Sequence, residues 1–245
     1  MKTKVKTVAR EARLIVRGAL KGALATTRRA ARPEAKGQPY VSKVGVAVGV
    51  DGAPLFLFST LAAHTQDLMA DSRASVLLEA PSDAQNPLEG ARCTLVGRVE
   101  KLPDDEQEAA RDLYLAHHPG AALYAGFGDF ALWRMEIDKI HYVGGFGVAK
   151  WLKAADYLTS APDIAAARET LLISLNEGAL ADLRTAFAYA AKRSARGWKA
   201  LGVDADGVTL AGPKGKHMRL DFKSPARDLK SWRGRFQTLV KRVQR

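Results

Sequence analysis

The sequence predicts an α+β protein: an antiparallel β-barrel followed by a second, smaller α/β domain. Three observations carry this. Strand-like runs follow one another closely from residue 22 to residue 143, interrupted by only two short helical stretches, which suits a barrel rather than a doubly wound sheet. Val44, Val46, Val48 and Val50 alternate with Gly45, Ala47 and Gly49, the period of a half-buried strand. After Leu158 the texture changes to an Ala-rich helical stretch and then to short strands separated by Asp- and Gly-rich turns. The expected domains are residues 1–155 and 160–245.

The elements follow in order. Val8, Ala12, Ile15 and Ala19 recur at helical spacing, so Val5 to Gly18 reads as a short basic helix. Gly22 to Thr27 reads as a strand facing Tyr40 to Val50, across a loop with Arg28, Arg29, Arg32, Pro33 and Lys36. Asp51-Gly52 supplies a tight turn into Leu55 to Ser59. A helix is expected from Leu61 to Asp71, then a strand from Ser75 to Glu79 and a loop with Pro81, Asn86 and Pro87. Arg92 to Lys101 reads as a strand. Asp104 and Gln107 make a capping box for a helix ending near Pro119. Phe130 to Val143 is a long strand with Ala131, Trp133, Met135 and Ile137 on one face. In the second domain, Ile164 to about Ala195 is helical with a kink at Asn176-Glu177-Gly178. Trp198 to Val203, Val208 to Ala211 and Met218 to Phe222 are strands, and Ser224-Pro225 opens a basic C-terminal helix.

Composition narrows the function classes. The 245 residues are 47% hydrophobic, enough for real cores. No run approaches the roughly 18 apolar residues of a membrane span; Val44 to Phe58 is cut by Asp51, Gly52 and Pro54. The basic start lacks the apolar core and cleavage site of a secretory signal, and reads as a basic helix or as an organelle transit peptide. Cys93 is the one cysteine, which rules out an internal disulfide and a cysteine-based metal site. It fits a reducing compartment, and a cytoplasmic location is expected. The net charge of +12 is uneven: +9 over residues 1–36, −8 over 37–191 and +11 over 192–245. Basic ends would attract nucleic acid, an anionic membrane surface or a polyanionic ligand, and charge alone does not choose. Nucleic acid is not the expected partner.

Several stretches together resemble a known family. Gly22-Ala-Leu-Ala-Thr26, Gly37-Gln-Pro-Tyr-Val-Ser42 and Leu57-Phe-Ser-Thr-Leu-Ala-Ala-His-Thr65 are similar to the opening of the pyridoxamine 5'-phosphate oxidase-like, FMN-binding split barrels. Arg92-Cys-Thr-Leu-Val-Gly-Arg-Val-Glu-Lys-Leu102 looks like a later barrel strand. His118-Pro119, Tyr124-Ala-Gly-Phe-Gly-Asp-Phe130, Trp133-Arg134, His141-Tyr-Val-Gly-Gly-Phe-Gly147 and Trp151 resemble the haem-utilisation HugZ branch. The match covers about residues 10–155. It implies a homodimer of six-stranded split barrels with FMN between subunits; some members of the branch bind and degrade haem. The tail resembles the small C-terminal domain that often follows this barrel. The His-Met-Asn-x-Asp-His pattern expected there is replaced by Ser174-Leu-Asn-Glu-Gly-Ala179, without either histidine.

A flavin phosphate is a dianion and needs hydroxyls, N–H groups and cations beside a helix N-terminus. Ser59 and Thr60 at a strand end, with His64 and Thr65 in the next helix, supply such a cradle. By resemblance Ser59, His64 and Thr65 contact the phosphate. The oxidases carry Arg and Lys where His64 and Thr65 stand, so weaker flavin binding is expected. Ser42 lies near a position where they place an Arg against the flavin. Arg92 matches a strand position that contacts the ring system, and its fork could equally grip a haem propionate. Trp133, with Tyr124, Phe127, Phe130, Phe146 and Trp151, offers flat surface for a planar cofactor. Of the five histidines, His217 is the candidate haem ligand if haem is bound. No catalytic residue emerges. The expected role is an FMN-dependent oxidoreductase on a small substrate; a haem-binding or haem-degrading protein and a non-catalytic dimeric regulator are the alternatives.

Overall fold

The structure, a computed structural model, describes residues 2–29, 37–80, 86–145, 147–177, 197–213 and 216–243. The chain divides into two compact units, Met1–Leu158 and Thr159–Arg245. Arg32, Pro33, Lys36, Pro81, Phe146, Gly178 and the helix expected through Ala195 lie outside the described residues.

The first unit is a curled antiparallel sheet with helices packed on it. Its strands are β1 (Lys21–Thr27), β2 (Pro39–Gly45), β3 (Ala47–Val48), β4 (Pro54–Ser59), β5 (Arg73–Glu79), β6 (Arg92–Lys101), β7 (Phe130–Val143) and β8 (Ala149–Lys153). They hydrogen-bond in the order β2-β1-β5-β6-β7-β4-β3, with β8 also paired to β7. The two ends of that path, β2 and β3, are separated in sequence by Val46 alone. The sheet therefore has to curl until its ends nearly meet, which is the split-barrel architecture.

Two strands beyond the expected six come from local departures. The run Tyr40 to Val50 breaks at Val46, whose N–H donates to Leu20 O and whose carbonyl is held by His118 Nε2 at 2.9 Å. β8, the stretch holding Trp151, adds the other strand against β7. β7 also differs from the single face expected of it. Its pairing with β6 shifts between Val96 and Gly97, so Asp138 is an extra residue in the ladder. The core-facing set changes parity there, from Trp133, Met135 and Ile137 to Ile140 and Tyr142. Gly97 is required at this bulge: a Cβ would stand 1.9 Å from the carbonyl oxygen of Glu136.

Helix α1 (Lys2–Gly18) buries Val8, Ala9, Ala12, Ile15 and Val16 in the main core. Two of its basic side chains are buried as well. Arg13 Nη1 donates to Tyr157 O at 2.8 Å; Arg17 donates to Gly49 O at 3.1 Å and Val50 O at 2.8 Å. The Tyr157 hydroxyl, on the short helix α4 (Ala154–Tyr157), donates to Gly52 O at 2.8 Å. The amino-terminal charge is thus partly a clamp on the β3–β4 turn.

Helix α2 (Ala63–Ala70) follows β4, and α3 (Gln107–His117) follows β6. Gln107 does not close the expected capping box. Its side chain instead bridges the backbones of Leu102 and Leu132. The second unit holds α5 (Pro162–Ala166), α6 (Arg168–Glu177) and a three-stranded antiparallel sheet. Its strands are β9 (Lys199–Asp204), β10 (Gly207–Ala211) and β11 (His217–Asp221), and the last helix is α7 (Leu229–Val243). Arg219 crosses that sheet to Asp204 at 2.8 Å and Asp221 at 3.2 Å.

Candidate functional site

The sequence candidates gather at one end of the curled sheet, where β4 stops and β7 starts. Ser59 pairs with Phe130, so the turn after β4 lies beside the turn before β7. Thr60 N–H donates to Asp129 O at 2.8 Å, and the Ser59 hydroxyl donates to the Asp129 carboxylate. Ser59 Oγ also accepts from Leu61 N–H at 3.1 Å. Asp129 was not read as a site residue; the signal was its place at the end of Gly126-Phe-Gly-Asp129, where paired glycines mark a tight turn.

Helix α2 begins at Ala63 with Ala62 as its cap residue, and no side chain caps it. Its first turn holds no acidic residue, so its N–H groups carry partial positive charge towards this end of the sheet. His64 packs edge-on against Phe58 with ring centroids 4.6 Å apart. Burial lowers the pKa of His64, outweighing the pull of Asp67 in the other direction, so the imidazole is neutral at pH 7. Thr65 is fully buried and its hydroxyl has no hydrogen-bond partner among the described residues. Asp67, also buried, accepts from Thr26 Oγ1 at 3.2 Å and Arg29 N–H at 3.0 Å, and Arg28 Nε lies 3.9 Å away. The Arg28 guanidinium sits 4.9 Å above the Tyr40 ring, and Arg29 donates to the Gln66 side chain. Ser42 lies on edge strand β2, two residues from Tyr40 and opposite Leu24.

Arg92 and His217 lie elsewhere, and Trp133 lies on the core side of Phe58. Arg92 pairs with Val143 at the far end of β7, thirteen residues from Phe130. At a strand rise of ~3.3 Å per residue that is roughly 40 Å of chain, so Arg92 and Ser59 do not share a site within one copy. Arg92 Nη1 instead holds Leu88 O at 3.1 Å and Gly90 O at 3.3 Å. Trp133 is a core residue beside Phe58, its ring centroid 6.2 Å away. Its buried indole N–H has no partner among the described residues. His217 is half-buried at the start of β11 in the second unit. His141 stacks on Trp151 at 4.8 Å, and His117 Nδ1 lies 2.9 Å from Leu113 O.

A phosphate dianion does not fit the cradle as the four residues form it. The Ser59 hydroxyl is turned to a carboxylate, and the Thr65 hydroxyl is sealed in the core. The start of α2, with Arg28 and Arg29 beside it, holds what positive character this end offers. The turns flanking these strand ends also carry large exposed apolar groups: Leu61 is 79% exposed, Leu123 83% and Phe127 60%. Tyr124, also exposed, packs on Phe130 at 5.0 Å. Hydrogen bonds from Phe127 N–H to Tyr124 O and from Phe130 N–H to Phe127 O tie these residues to the start of β7. No cluster of His, Cys, Asp or Glu among the described residues could hold a metal ion, and no described helix is long and apolar enough to cross a membrane.

Known proteins share this architecture. A solved structure of a protein of unknown function from Agrobacterium tumefaciens superposes with a TM-score of 0.77 at 28% identity, covering 95% of this chain and 94% of that one. A heme binding protein from Mycobacterium smegmatis superposes with a TM-score of 0.57 at 27% identity, covering 97% of each. Among curated proteins, the non-canonical heme oxygenase HOZ, chloroplastic, of Arabidopsis thaliana is 34% identical over 139 residues, 57% of this chain. That aligned region is 41% of the plant protein's length, so this chain spans less than half of it. The model of the CREG beta-barrel family matches residues 3–159, which takes in almost all of the first unit and more than half of the chain. The chain belongs to the CREG beta-barrel family of split-barrel proteins.

Proposed function

We propose that the chain is a haem-binding split-barrel protein acting as a homodimer, with haem degradation as its candidate activity. The rim of Leu61, Leu123, Tyr124 and Phe127 carries this reading. Large apolar side chains this exposed, in turns that flank the same strand ends, suit a surface that a ligand or partner covers. A flat macrocycle with acidic side groups suits such a rim. Its apolar body would meet the exposed side chains, while the α2 start, Arg28 and Arg29 supply the positive character its carboxylates need. The haem oxygenase and heme binding protein among its relatives support the same ligand class.

A flavin mononucleotide reading is favoured by one observation, the uncapped and acid-free start of α2. Asp129 beside Ser59 opposes it, because a carboxylate repels a phosphate dianion. An absorption spectrum separates the two. The expected result is a saturable Soret band on adding haemin to the purified protein, and no flavin bands before it. Flavin bands in the protein as purified, with no Soret band after haemin, would reverse the order. His217→Ala tests the iron ligand: a shifted Soret band assigns His217, and an unchanged one removes it.

A further inference from the structure

The second unit carries a concave surface that the haem reading leaves unused. It is a cleft of about 580 Å³ between the end of β11 and helix α7. The chain turns through Lys223 and Ser224 before α7 begins, and Arg235 fastens the helix to that turn. Arg235 Nε donates to Ser224 O at 2.8 Å and Nη1 to Ser231 O at 3.2 Å. The apolar part of the lining comes from Phe222 and Leu239, both buried. Four cations, Lys223, Arg235, Lys241 and Arg242, line the same cleft.

Three of these charges, Lys223, Lys241 and Arg242, lack an ion-pair or hydrogen-bond partner among the described residues. Helix α7 contains no acidic residue. The one acid in the lining, Asp221, is engaged by Arg219 at 3.2 Å. Arg219 shows the opposite treatment in the same unit: it is enclosed by Asp204, Asp221 and the Thr209 hydroxyl. Cations gathered on a concave, partly apolar surface repel one another, and an anion relieves that repulsion. The volume falls within the range of about 300–1,000 Å³ typical of small-molecule sites. Lys230 and Arg233 also lie on α7 but do not line the cleft, so the charge is focused rather than spread as a nucleic-acid strip would have it.

We propose that this cleft binds a small phosphate-bearing molecule, its anionic group held by Lys223, Lys241 and Arg242. The proposal does not depend on the haem reading.

The test is a titration of the full chain with the fluorescent nucleotide trinitrophenyl-ATP, displaced by inorganic pyrophosphate or by citrate. Saturable binding with displacement by pyrophosphate is expected. Replacing Lys223, Lys241 and Arg242 together by Ala should weaken binding roughly a hundredfold, since three exposed charge contacts worth about a factor of five each multiply to that. Lys230→Ala with Arg233→Ala should change affinity less than about twofold, the scale of a distant screened charge. Wild-type affinity in the triple variant would overturn the proposal. So would equal losses in both variants, which mean diffuse attraction to any polyanion, or displacement by citrate alone. A haemin spectrum of the triple variant reads the other site, so either reading can fail without the other.

Discussion

The two basic ends of the chain carry similar charge and put it to opposite uses. In α1, Arg13 and Arg17 are buried and donate to backbone carbonyls at Tyr157, Gly49 and Val50. In α7, Lys241 and Arg242 are exposed on a concave surface without a counter-charge among the described residues. A charge count treats these cations alike. Their environments do not: a guanidinium surrounded by carbonyls is structure, and one exposed on a concave surface is open to a ligand. The difference also shows why net charge misleads as a guide to partners. Part of the amino-terminal excess never faces solvent.

The comparison breaks most visibly in stability. Arg17→Met removes a charged donor from two carbonyls at the β3–β4 turn, one buried and one partly buried. Gly49 O keeps its bond from Gly52 N–H, so the cost should be about 2 kcal/mol, the scale of lost charge-assisted hydrogen bonds. Urea unfolding measures it, and a loss within experimental error would mean the clamp is unimportant. Lys241→Gln with Arg242→Gln should shift the same midpoint by less than about 0.5 kcal/mol, as surface changes do. A larger loss would move α7 into the structural class.

Acid provides a test in between. Burial lowers the pKa of His118 despite its bond to Val46 O, and burial lowers that of His64. The unfolded chain therefore binds protons first as pH falls. The stability these neutral imidazoles contribute is complete above pH 6.5 and is lost progressively as pH drops towards their folded pKa values. His118→Gln should flatten that part of the stability–pH curve, read by thermal melts from pH 7.5 to pH 5. Helix α7 carries no histidine, so its variants should leave that slope unchanged.

Much of the fold was legible because it is local. Helical spacing at Val8, Ala12 and Ile15 and the Asp51-Gly52 turn each report their own element. What escaped was non-local. The parity change at Asp138 depends on β6 meeting β7 at a bulge, which neither strand shows alone. The break at Val46 is held by His118, seventy-two residues away. The burial of Arg13 and Arg17 had a faint signal: on a helix they fall in the sector of Ala9 and Val16. The candidate site was half legible. Ser59, Thr60, His64 and Thr65 sit together because they are close in sequence. Arg92 and Trp133 are separated from them by strand register and by the facing of β7, which a linear pattern does not encode.

The central claim is that the apolar rim beside Ser59 and Asp129 receives a flat ligand. The direct measurement is haemin affinity by absorbance titration of the intact chain and of Leu61→Asp combined with Phe127→Asp. Both side chains are exposed, so the fold should tolerate the change. The rim account predicts at least a tenfold weaker Soret titration, the effect of losing roughly 1.4 kcal/mol of contact. Unchanged affinity in a folded double variant would contradict it.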